Sequence, residues 1–127
     1  MRKVTLAAVC VLVIIYVVPF VVYGVFTLVA DLKPPGGVSP AQFLLSVLVS
    51  KVGTALAFVL IFFFGRGSLN GRWVLYAAIW WMMFLMGEIG QAMGPNYTWK
   101  EALAGIISET VYFPLSAFAV NRLLRAK

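Results

Sequence analysis

Three ionisable side chains stand inside long apolar runs: Lys51, Glu88 and Glu109. A charge at the centre of a membrane-length run costs roughly 2.5–3.5 kcal/mol on insertion scales, so each needs a partner or a use. Depth pairs two of them. Lys51 follows Pro40 by 11 residues, and Glu109 follows Thr98 by 11. At 1.5 Å per residue both lie ~16 Å below the ends of their helices, near the middle of a ~30 Å hydrocarbon core. The expectation is a Lys51–Glu109 ion pair inside a helix bundle. Glu88 stands nearer a surface, ~8 Å from the end of its helix, with Gln91 three residues on and on the same face.

Two carboxyls and one ammonium do not balance, so one acid is left hydrated or protonated. A carboxyl that exchanges its proton near neutral pH is what proton coupling or general acid chemistry needs. The structural alternative is a static pair that fixes helix register. Tyr112 lies beside Glu109 in sequence, and Tyr23 falls on a semi-polar stripe with Tyr16 and Thr27. Lys51, Glu109, Glu88, Gln91 and Tyr112 therefore form the candidate ligand or proton site. Tyr23, Trp80 and Trp81 are candidates to line a cavity.

The chain has no histidine, and Cys10 is its only cysteine. Zinc sites, CxxC redox pairs, His-held haem and Ser-His or Cys-His dyads all lack their parts. No catalytic residue, metal or cofactor is assigned. Met82, Met83, Met86 and Met93 offer thioethers of the kind that favour Cu(I), but methionine is more often a gap filler in cores.

The elements that must position these residues follow from composition. Of 127 residues, 63% are hydrophobic and 11% charged, whereas a soluble domain carries about 25% charge. Four apolar runs near 20 residues in length fill the chain, at 4–30, 41–64, 73–93 and 99–124. The expectation is an all-α integral membrane protein, a single domain over 1–127, with four transmembrane helices in an up-down bundle. The first run is too long for a secretory signal. Pro19 and Pro114 lie inside the first and last runs and predict kinks. Thr98-Trp99-Lys100-Glu101 fits a capping box. The segment 65–72 reads as a tight basic turn, and 31–40 as a Pro- and Gly-rich loop. Ser46, Ser50 and Thr54, with Gly53 and Ala57, give the second run a face that lets helices approach closely.

The net charge is +6, and its distribution is informative. Arg2, Lys3, Arg66, Arg72, Arg122, Arg125 and Lys127 fall on the side of the termini; Lys33 and Lys100 fall on the other. That bias puts both termini in the cytoplasm, of a bacterial or archaeal cell membrane. No basic, aromatic-interleaved segment exists to bind nucleic acid. Leu48-Val49-Ser50-Lys51 faintly echoes Ile106-Ile107-Ser108-Glu109, as a parallel repeat would.

Three functions follow as expectations. The first is a small protein that binds or transports a small ligand, cation or proton at the buried polar site, as a homodimer among membrane lipids. The second is a non-catalytic subunit or assembly factor of a larger membrane complex. The third is a metal-independent enzyme acting on a lipid or isoprenoid by acid catalysis.

Overall fold

The computed structural model describes residues 2–32 and 39–125. The loop centred on 33–38, with Lys33, and the terminal Lys127 lie outside the described residues. Helix α1 covers Arg2–Val29, α2 Pro40–Phe64, α3 Arg66–Leu69, α4 Trp73–Ala92 and α5 Trp99–Leu124. No strand occurs among the described residues. Four of the helices are long and apolar enough to cross a membrane. α3 is the exception, a single helical turn within the segment that the sequence reads as a tight basic turn.

Local chemistry explains where each helix begins and ends. Ser39 caps α2, its Oγ accepting from Gln42 N at 3.1 Å, and Pro40 opens the first turn, where no N–H is required. Thr98 and Glu101 form the expected capping box on α5, with bonds of 3.1 and 3.4 Å. α1 stops where Asp31 enters the left-handed region at φ 56°, which brings Leu32 N back to Phe26 O at 3.2 Å. Lys100 Nζ also donates to Ala30 O at 2.8 Å, placing a cation on the negative end of α1. Gly71, at φ 78°, turns the chain into α4, and its N–H donates to Asn121 Oδ1 at 2.9 Å. α1 and α5 run unbroken through Pro19 and Pro114.

α5 is the central helix. Half of its most apolar stretch (50%) is buried, against 22%, 22% and 17% in α1, α2 and α4. It packs chiefly against α1 and α4, while α2 packs mainly on α1. Small residues make this possible: Ala102, Ala104, Gly105, Ser108, Ser116 and Ala117 are all buried on α5, and small side chains let backbones approach.

The two ends of the bundle differ. On the side of the termini the core is apolar and aromatic. Val4, Ala7, Val11 and Ile15 of α1 recur at helical spacing and are buried there. Phe58, Trp80, Phe84 and Phe113 join three helices in one cluster, with ring centroids 4.9–6.0 Å apart across Phe58–Trp80, Phe58–Phe113, Trp80–Phe84, Trp80–Phe113 and Phe84–Phe113. Tyr76 packs against Phe58 at 4.7 Å and donates its hydroxyl hydrogen to Phe58 O. Beyond this aromatic floor, towards the loop side, the polar side chains gather.

Candidate functional site

Glu88 lies five residues before Met93, the residue that ends α4, and is half-buried. Its carboxyl rests against the backbone of α5 at Gly105. A Cβ at Gly105 would stand 2.7 Å from Glu88 Oε2 and closer still to Oε1, so only glycine leaves this seat open. One turn deeper on α5 is Glu109, 4% exposed. Glu88 and Glu109 thus face the same α4–α5 contact one helical turn apart, and the buried Glu109 Oε1 has no hydrogen-bond partner. Two carboxyls from neighbouring helices are gathered inside the bundle.

The pair is reached from the loop side through phenols. Tyr97, in the turn between α4 and α5, donates to Glu88 Oε2 at 2.5 Å. Tyr23 Oη of α1 lies 3.4 Å from Tyr97 Oη and donates to Glu101 O at 3.3 Å. Burial, then the bond to the Glu88 carboxylate, pushes the Tyr97 phenol above its ordinary range. It therefore remains a neutral donor. Tyr23, Tyr97, Glu88 and Glu109 form one polar chain from the α4–α5 turn to the interior.

The expected Lys51–Glu109 ion pair is not formed. Lys51 Nζ donates instead to Tyr112 Oη at 3.3 Å and stands 4.9 Å from the centre of that ring. The reason lies in helix order. Equal depth is not enough, because α5 turns Glu109 towards α4, and the buried Tyr112 faces α2 and takes the ammonium.

Five of the expected residues, Lys51, Glu88, Glu109, Tyr112 and Tyr23, fall in this one region. Gln91 does not: it is exposed and makes no hydrogen bond to the site. Trp80 is part of the aromatic floor rather than a cavity wall. Trp81 faces the outer side of the α4–α5 contact, where its Nε1 donates to Thr110 Oγ1 at 2.9 Å. Met82, Met83, Met86 and Met93 are 51–76% exposed on the outside of α4, so they line no interior path. No cluster of three or more His, Cys, Asp or Glu occurs among the described residues.

Two members of the site escape sequence reasoning. Tyr97 reads as part of a helix-breaking turn; its position just before the Thr98 cap, nine residues from Glu88, was the available signal. Gly105 stands four residues before Glu109, one turn above it, and a glycine so placed marks a close approach.

The comparisons with known proteins add nothing to this geometry. The chain matches no protein-family model, no curated protein and no solved structure.

Proposed function

We propose that this chain is a small membrane protein that binds and moves a proton or a small cation, with Glu88 and Glu109 as the binding pair. The observation that carries the reading is two carboxyls gathered at the α4–α5 contact, Glu88 seated on Gly105 and the buried Glu109 one turn deeper with Oε1 unpartnered, while the nearest ammonium, Lys51, is engaged elsewhere. Two carboxylates buried side by side repel, and a proton or a cation taken up between them relieves the repulsion. Lys51, held by Tyr112, compensates charge without occupying the site. Tyr97 and Tyr23 give access from the loop side, and the aromatic floor closes the other. The excess of arginine and lysine at the termini supports an orientation with that floor towards the cytoplasm, in a bacterial or archaeal membrane.

The test is flux in reconstituted vesicles loaded with a pH-sensitive dye and challenged with proton and sodium gradients. The wild type dissipates a gradient; Glu109→Gln and Glu88→Gln each abolish this while retaining the helical content and melting temperature of the parent. Flux at wild-type rates in both variants removes the carboxyl pair from the pathway.

A second reading, a subunit of a larger membrane assembly, rests on a different observation. A Cβ built at Gly24, Gly53, Gly87 or Gly90 meets nothing, so these backbones are open to close approach by another helix. Copurification of a stoichiometric membrane polypeptide in mild detergent supports it; a lone monomer or homodimer counts against it.

A further inference from the structure

Away from the carboxyl pair, α4 and α5 enclose an open groove of about 240 Å³ on their outer side. Trp73, Ala77, Ala78 and Trp81 form one wall, Thr110 and Pro114 the other. The polar groups deep in the groove are already used: Trp81 Nε1 donates to Thr110 Oγ1, and Thr110 Oγ1 donates to Ile106 O at 2.7 Å. Apart from the indole N–H of Trp73 at its headgroup end, the lining is apolar, so the groove suits hydrocarbon. From Trp73 to Trp81 it follows α4 for eight residues, ~12 Å of rise, close to the depth of one leaflet of a ~30 Å core.

Its mouth has the opposite character. The bond from Gly71 N to Asn121 Oδ1 brings the start of α4 beside the end of α5, and Trp73 stacks edge-on against Phe118 at 5.4 Å. Arg72 and Arg122 each follow one residue after that bonded pair, and both are exposed. No acid answers them: Asp31, Glu88, Glu101 and Glu109 all belong to the loop-side half. Arginines at the headgroup level above an apolar groove one leaflet deep match the two ends of one molecule.

We propose that this groove seats one acyl chain of an anionic phospholipid from the leaflet on the side of the termini, with Arg72 and Arg122 holding its phosphate. The lipid site is independent of the carboxyl pair and of any transport. It gives the bundle a preference for anionic over zwitterionic lipid at one defined position.

Native mass spectrometry of the protein in mild detergent, titrated with phosphatidylglycerol or phosphatidylcholine of identical chains, tests it. The first bound phosphatidylglycerol is expected to be favoured by about fivefold for each of the two arginines. Arg72→Gln combined with Arg122→Gln abolishes that preference, whereas Arg2→Gln with Lys3→Gln, an equal loss of charge elsewhere, preserves it. Ala78→Phe, at an exposed position in the groove, removes the first adduct of both lipids. Equal losses in the two charge variants would mean a diffuse basic surface and overturn the seat. So would lipid binding indifferent to Ala78→Phe, or a homodimer that the same substitution dissociates. All five sites are exposed or half-buried, and an unchanged melting temperature in the lipid-free state confirms that folding is not the cause.

Discussion

Gly105 is the most tightly faced glycine among the described residues. Any side chain there must displace the Glu88 carboxyl, the far end of a flexible side chain, and what the move gives up is its charged bond from Tyr97, worth about 1.5–3 kcal/mol. Gly105→Ala is therefore expected to destabilise the protein by that amount in detergent unfolding. Glu88→Ala in the same chain relieves the clash, so the two changes are non-additive; additive losses would show that the seat is not shared. Tyr97 makes a second residue-level prediction. Its phenol is held above the ordinary 10.0, so in the native state it keeps a proton that the unfolded chain releases. The stability linked to it is complete below about pH 10 and declines as pH rises further. Tyr97→Phe flattens the alkaline limb of a stability–pH curve, and an identical limb in both proteins would rule this linkage out.

At the scale of the element, α5 carries the organisation. Its capping box ties the polar end together, and Thr98→Ala is expected to cost about 0.5–2 kcal/mol, read as a lower unfolding midpoint. The four spans and this cap are legible from the sequence because hydrophobic length and the Thr-x-x-Glu spacing are local signals. Helix order is not local. All four runs are apolar throughout, so nothing in their periodicity says which neighbours α5 takes, and the Lys51–Glu109 expectation failed at that step. The small residues from Ala102 to Ala117 were the trace of a central helix, visible only when read together. The short helix α3 was hidden for another reason: a four-residue turn of Arg-Gly-Ser-Leu has no helical signature of its own.

For the whole molecule, the contrast between its ends is the main result. An even number of long antiparallel helices brings both termini to the aromatic end, and the arginine bias there is the basis of the proposed cytoplasmic side. Fluorescent-protein and alkaline-phosphatase fusions at the C-terminus check it. Fluorescence with no phosphatase activity is expected; the reverse pattern would invert the orientation and with it the side from which Glu88 is reached.

The aromatic floor has an electrical consequence. Rings packed across the terminal half leave that half dry and low in dielectric response, while on the proposed reading the phenols and carboxyls of the other half give protons or water a way in. A charge arriving at Glu109 from the loop side then crosses about half of the thickness over which the membrane voltage falls, and one charge crossing it all is worth roughly 2.3 kcal/mol per 100 mV. Occupancy of the carboxyl pair should therefore follow voltage as well as pH, with about half the sensitivity of a full crossing, making the resting cell's own field a standing influence on whether the site is filled.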